Sequence, residues 1–206
     1  MIGFFGGSFD PIHLGHLKNA VQIKQQLDLS ALYLMPCKAP VHKNALTFST
    51  QQRLDMLHAA VQDFPELAID EREINSEVES YTIHSLKQIK CQYPQQSICL
   101  IVGMDSFKQL SSWKSYFKFQ QYCHLIVLAR PGQEKTADTY HFKLVGHKSE
   151  LAKQDAGLLY FANTDLHNIS SSKIRGILFD TTANGKIRAK QNLTELLPVS
   201  VINYLR

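Results

Sequence analysis

The chain has 206 residues, of which 44% are hydrophobic and 19% are charged, as is typical of a globular protein and not of a disordered one. Its net charge of +4 suits anionic small molecules but is too small to indicate a nucleic-acid-binding protein. Because no apolar run could span a bilayer and no signal peptide begins the chain, we expect a cytoplasmic protein with one domain over residues 1–206 and no membrane contact.

Short apolar runs alternate along the chain with segments of helical spacing. The runs predict strands at MIGFF (1–5), ALYLMP (31–36), ELAID (66–70), SICLIVG (97–103), HLIVLA (124–129) and LLYFAN (158–163). An apolar period near 3.6 residues predicts helices at 15–29, 49–64, 80–93, 170–179 and 197–205. This alternation indicates an α/β fold: a doubly wound, Rossmann-like, mostly parallel sheet with helices on both faces. Residues 133–157 match no pattern, and we interpret them as a surface insertion.

Polar segments follow three of the predicted strands, at the strand ends where doubly wound sheets bind ligands. These segments are FGGSFDPIHLGH (5–16), VGMDSF (102–107) and ARPG (129–132). In the first, Gly6 and Gly7 leave bare backbone that a phosphate can approach closely. His13 and His16 share one face of a predicted helix start and can donate hydrogen bonds to the same anion. Each feature alone is common, but together they predict an anion site.

A second anion site is predicted where the helix over 170–179 begins. Ser170, Ser171 and Ser172 are typical helix-capping residues, which is the simplest interpretation of the serine run. Arg175 lies one turn further along, and a helix start with hydroxyl groups and a guanidinium can also bind phosphate.

The segment GGSFDPIHLGHL resembles the signature of the H-x-G-H nucleotidyltransferase superfamily. Within it, the chain resembles the bacterial nicotinate-nucleotide adenylyltransferase family over nearly its whole length. The segments that carry this resemblance, in chain order, are VHK, EREI with SYTIHSLK, GMDSF followed by Trp113, HLIVLARPG, ISSSKIR and LPVSVINYL. The resemblance implies transfer of the adenylyl group of ATP to nicotinate mononucleotide, which gives nicotinate adenine dinucleotide and pyrophosphate in NAD biosynthesis.

The resemblance also implies roles for individual residues. It implies that His13, His16 and Arg175 are catalytic. The implied ATP-binding residues are Gly6, Gly7, Ser8, Phe9, His13, His16, Ser171, Ser172 and Arg175. The implied mononucleotide-binding residues are His42, Lys43, Thr82, Asp105, Trp113 and Arg130. In this scheme the Thr82 N–H receives the nicotinate carboxylate and Trp113 stacks on the pyridine ring. We expect Mg²⁺ to arrive with ATP, with no metal site in the chain itself.

Other interpretations stay open at this point. The pantetheine-phosphate adenylyltransferases share the histidine motif and also act on a phosphate monoester, although Trp113 and the SYT segment argue against them. A nucleotide-binding module without turnover would keep the same pocket. The residue letters do not distinguish the nicotinate from the nicotinamide mononucleotide, and they leave a homo-oligomer open.

Overall fold

A single sheet organises the computed structural model, which describes residues 1–38, 46–77, 80–129, 138–165, 169–179 and 193–205. Its seven strands are β1 (Ile2–Gly7), β2 (Ala31–Pro36), β3 (Ala68–Ile69), β4 (Ile98–Gly103), β5 (His124–Ala129), β6 (Lys143–Val145) and β7 (Leu158–Asn163). The spatial order is β3-β2-β1-β4-β5-β7-β6, and each neighbouring pair is parallel. The predicted doubly wound α/β fold is confirmed.

Six α-helices occur in the described part of the chain. They are α1 (Leu14–Gln26), α2 (Thr50–Asp63), α3 (Thr82–Gln92), α4 (Met104–Lys108), α5 (Ser171–Leu178) and α6 (Val199–Tyr204). Four 3-10 segments lie at Leu110–Ser112, Tyr116–Gln121, Lys148–Lys153 and Leu193–Glu195. None of these helices has the length and apolar character needed to cross a lipid bilayer.

Helices cover both faces of the sheet, and β4 shows how its sequence serves both. Cys99 and Ile101 pack into the core on the side of α1, α2, α5 and α6. Ile98, Leu100 and Val102 pack into the core on the side of α3 and α4. Successive strand residues point to opposite faces, so a strand buried on both sides must be apolar at nearly every position.

The region from residue 138 to 157 differs from its prediction. Instead of a surface insertion, it forms the edge strand β6, which pairs with β7. Tyr140, Phe142, Val145 and Leu151 are buried and join the two cores. These residues therefore belong to the fold.

The direction of winding changes between β1 and β4, which are neighbours in the sheet. From β1 the chain moves outward through β2 and β3, and it then returns to β4 and continues the other way. The connections diverge at this point and leave a crevice beyond the carboxyl ends of the two strands, which is the usual ligand position in such sheets.

Candidate active site

A cleft of about 480 Å³ opens at this crevice. It brings together, from the predicted site, Gly6, Gly7, Ser8, His13, His16, Asp105, Ser171, Ser172 and Arg175. The β1–α1 bend, the starts of α4 and α5 and the end of β5 all contribute to its walls. The two predicted anion sites are thus two sides of one cleft.

The bend after β1 has little room for side chains. A Cβ atom at Gly7 would lie 2.9 Å from the ring of Phe9, which is buried, so the glycine leaves space for that ring. Phe9 itself has a φ of 45°, in the left-handed region that few non-glycine residues adopt. Because the Phe9 ring lies in the core, Phe9 could contact ATP only through its main chain.

Gly6 offers a direct test of whether a ligand fills the bend. A Cβ atom at Gly6 would have no protein atom within 4 Å, and the residue lines the cleft. We expect the free energy of unfolding of Gly6→Ala to stay within about 0.5 kcal/mol of the wild-type value, because the added methyl group displaces no protein atom. If a phosphate of ATP approaches this backbone as predicted, the added methyl group would collide with it, so we expect the KM for ATP to rise at least about tenfold. Unchanged steady-state kinetics would show that no phosphate approaches Gly6.

His13 and His16 form a stacked pair at the start of α1. Their ring centroids are 3.6 Å apart with an interplanar angle of 22°. His13 is the N-cap residue, and its Nδ1 accepts the N–H of His16 at 3.3 Å. In the neutral ring the proton of His13 must therefore reside on Nε2, which makes that atom a hydrogen-bond donor. A Cβ at Gly15 would lie 3.1 Å from His13 Nδ1, which explains the glycine of the H-x-G-H motif.

Arg175 on α5 is held beside the bend by protein contacts. Its Nη1 donates to the main-chain oxygen of Asp10 at 2.6 Å and lies 3.5 Å from the Asp10 carboxylate. Its Nη2 donates to Ser172 Oγ at 3.2 Å, and Ser171 Oγ donates to the carbonyl of Pro11 at 3.0 Å. Ser170 caps α5 by accepting the N–H of Lys173. The start of α5 is therefore fixed against the β1–α1 bend, with a guanidinium group between them.

Sequence reasoning missed several residues of this site. Asp10 is not among the predicted site residues, yet its carboxylate accepts the N–H groups of Thr47 at 3.0 Å and Phe48 at 2.9 Å. Asn19, Thr164 and Asp165 also line the cleft. Thr164 and Asp165 directly follow β7, so the same rule about carboxyl ends of strands could have identified them.

The predicted mononucleotide-binding residues are only partly accounted for. Asp105 lines the cleft, in the first turn of α4. Thr82 begins α3, and Trp113 is half-buried with its ring edge-on to Phe119; neither lines the cleft. His42, Lys43 and Arg130 lie outside the described residues.

The beginning of α3 is anchored by a buried acid, Glu73. Ser85 in the first turn of α3 donates to the Glu73 carboxylate at 2.7 Å, and Ser80 donates to the Glu73 carbonyl at 2.9 Å. Glu73 is 5% exposed, and this burial raises the pKa of its carboxyl group from 4.5 to about 7, against the lowering effect of the Ser85 hydrogen bond. These two hydrogen bonds tie the chain on both sides of Thr82 to Glu73.

The raised pKa of Glu73 gives a stability prediction. Between pH 4.5 and about 7 the folded protein keeps a proton that the unfolded chain releases, so this group makes stability fall as pH rises. The wild-type free energy of unfolding should therefore decrease between pH 5 and pH 8, and we expect this decrease to be smaller in Glu73→Gln by up to about 3 kcal/mol. Chemical denaturation of both proteins at the two pH values measures the difference. Parallel stability curves for the two proteins would contradict the assignment.

Metal-ligating side chains do not cluster in this cleft. Across the described ranges, no three His, Cys, Asp or Glu residues come close enough together to hold a metal ion. The carboxylate of Asp10 already accepts two N–H groups and faces Arg175.

Comparisons with known proteins identify the family of this chain. The cytidylyltransferase-like family model matches residues 4–177. A relative from Vesicomyosocius okutanii, named as a nicotinate-nucleotide adenylyltransferase, is 53% identical over 205 residues, which cover 100% of this chain and 93% of the relative. One of the same name from Psychromonas ingrahamii is 38% identical over 210 residues, 100% of this chain and 94% of the relative.

A solved structure shows the shared fold. It is the Plasmodium falciparum nicotinic acid mononucleotide adenylyltransferase complexed with NaAD, with a TM-score of 0.73 and 18% identity, over 99% of this chain and 93% of that chain. The family model and the full-length relatives go further than the fold. This chain belongs to the cytidylyltransferase-like family and, by its relatives, to the nicotinate-nucleotide adenylyltransferases within it.

Proposed function

We propose that this cleft transfers the adenylyl group of ATP to nicotinate mononucleotide and releases nicotinate adenine dinucleotide and pyrophosphate. The observation that carries the proposal is the meeting of the His13–His16 pair with Arg175 and the serines of α5 in one cleft at the β1–β4 crevice. Imidazoles, a guanidinium and two helix starts are donors suited to a polyphosphate.

The reaction needs no side-chain nucleophile. An oxygen of the mononucleotide's 5′-phosphate attacks the α-phosphorus of ATP, a new P–O bond forms, and the bond to the β-phosphate oxygen breaks to release pyrophosphate. The second pKa of a phosphate monoester is near 6, so the attacking group is largely dianionic at neutral pH. Catalysis then depends on aligning two anions and stabilising the negative charge that grows in the transition state.

Each group in the cleft has a place in this scheme. His13 and His16 donate hydrogen bonds to the reacting phosphate, with the neutral His13 ring donating from Nε2. Arg175, the hydroxyl of Ser172 and the main-chain N–H groups at the start of α5, from Ser171 onward, bind the leaving pyrophosphate portion. The backbone of Gly6, Gly7 and Ser8 allows the triphosphate to approach, and Phe9 contributes its main chain.

The residues that bind the mononucleotide are assigned on different grounds, since only Asp105 among those that the structure describes lines the cleft. We assign the ribose hydroxyls to Asp105, the pyridine ring to Trp113 and the nicotinate carboxylate to the N–H of Thr82, where a helix start favours a carboxylate over a neutral amide. His42, Lys43 and Arg130 remain predicted phosphate contacts. The cytoplasmic location also remains a prediction.

The metal of this scheme is Mg²⁺ carried on the phosphates of ATP, where it would neutralise part of the triphosphate charge. Asp165 lines the cleft, and its carboxylate would be available to support such an ion. The chain's own contribution is the set of fixed N–H, imidazole and guanidinium donors.

The test is pyrophosphate release from ATP with each acceptor in turn. We expect turnover with nicotinate mononucleotide and a kcat/KM at least about tenfold lower with nicotinamide mononucleotide. Turnover only with 4′-phosphopantetheine would assign the enzyme to the other adenylyltransferase group. ATP binding without any turnover would make it a binding module.

A further inference from the structure

Arg53 on α2 is the least exposed charged side chain of the described residues, with 0% of its surface accessible. Burying a guanidinium is costly unless its donors are satisfied. The four ion pairs among the described residues do not include Arg53. Burial lowers its pKa, although a guanidinium stays charged at neutral pH. The protein therefore keeps a buried positive charge whose function is not evident from packing.

The two Nη atoms of Arg53 donate to main-chain oxygens of two separate loops, and the guanidinium also interacts with the Cys37 side chain. Nη1 donates to the carbonyl of Ser8 at 2.7 Å, and Nη2 donates to the carbonyl of Lys38 at 2.9 Å. Nη2 also lies 3.5 Å from Thr50 Oγ1. Ser8 lines the cleft, whereas Arg53 does not. The guanidinium thus contacts a residue of the cleft wall on the side that faces away from the cleft.

We propose that Arg53 is a positioning residue for ATP, which fixes the orientation of the Ser8–Phe9 peptide in the phosphate-binding bend. This inference rests on the proposed function of the cleft. In a trans peptide the C=O and the N–H point in opposite directions. A guanidinium that holds the Ser8 carbonyl therefore makes the Phe9 N–H point away from Arg53. With the Phe9 ring buried, that N–H is the group of Phe9 that can donate to an anion.

Neighbouring contacts show why an arginine is needed here. The bend continues to Asp10, whose carboxylate holds Thr47 and Phe48, so the chain just before α2 is tied to the bend as well. Arg53 ties in Lys38, which follows β2. A lysine could hold one of the two carbonyls but lacks the planar fork that reaches both. Without the two guanidinium hydrogen bonds, the Ser8–Phe9 peptide could rotate, and the Phe9 N–H would no longer be held toward the ligand.

The test compares Arg53→Lys and Arg53→Met with Arg72→Met. Arg72 is a suitable control because it is also largely buried and donates from both Nε and Nη2 to the Asp70 carboxylate, but it lies outside the cleft lining. Steady-state pyrophosphate release gives kcat and the KM for ATP, and thermal denaturation gives the stability of each variant. We expect both Arg53 variants to raise the KM for ATP by about 10- to 100-fold, with Arg53→Met the more severe.

For Arg72→Met we expect a lower midpoint of thermal unfolding and a KM for ATP within about twofold of the wild type. Folded Arg53 variants with a wild-type KM for ATP would overturn the proposal. So would a failure of both Arg53 variants to fold, since Arg53 would then be a folding residue. A wild-type protein without turnover would instead refute the proposed function, which separates the two failures.

Discussion

We expect His16→Ala to lower kcat by about 100- to 1000-fold, the cost typical of losing one preorganised donor to transition-state charge. The His16 ring is held on three sides: it stacks on His13 and packs edge-on against Phe9 at 5.2 Å and Phe5 at 6.1 Å. A ring fixed in this way needs no reorganisation when charge develops on the phosphate. The loss should therefore appear in kcat more than in the KM for ATP.

The measurement is steady-state pyrophosphate release at saturating nicotinate mononucleotide. His58→Ala is the matched control, because His58 is exposed and pairs with Glu71 on the surface. We expect its kcat to stay within about twofold of the wild type. His16→Asn, which keeps a side-chain donor, should recover part of the lost rate. A His16→Ala variant with near wild-type turnover would remove the histidine from the mechanism.

Much of the fold could be predicted from local sequence because each strand carries its own signal. β2, β5 and β7 match their predicted limits residue for residue, because a strand covered on both faces is a short, nearly continuous apolar run. β6 could not be predicted in this way. It has three residues, and Leu144 in its centre is 52% exposed, so no apolar pattern marks it. Its position depends on β7 as a pairing partner.

The same distinction between local sequence patterns and long-range contacts applies to the residues of the site. The H-x-G-H segment and the serine run are local patterns, and the structure brings both into one cleft. Asp10 and Arg53 were missed because their partners are distant along the chain: Thr47 and Arg175 for Asp10, Ser8 for Arg53. A buried arginine in a helix looks like a surface residue in the sequence, and only tertiary contacts identify it.

The second large effect is expected for Arg175→Gln. Arg175 lines the cleft and is pinned by Asp10 and Ser172, so its remaining N–H groups are oriented before ATP arrives. Charge-assisted hydrogen bonds to phosphate are among the strongest that a side chain makes. We expect the loss of this group to lower kcat/KM for ATP by about 100-fold, because the ground state and the transition state both lose a cation.

Lys173→Gln is the matched control, since it removes one positive charge from the same helix. Lys173 is exposed and absent from the cleft lining. We expect its kcat/KM for ATP to stay within about twofold of the wild type, because water and salt screen an exposed ammonium. Equal losses in the two variants would mean that the general positive field of α5 attracts ATP. A loss confined to Arg175→Gln would mean that the guanidinium itself binds ATP, in the orientation that its hydrogen bond to Asp10 fixes.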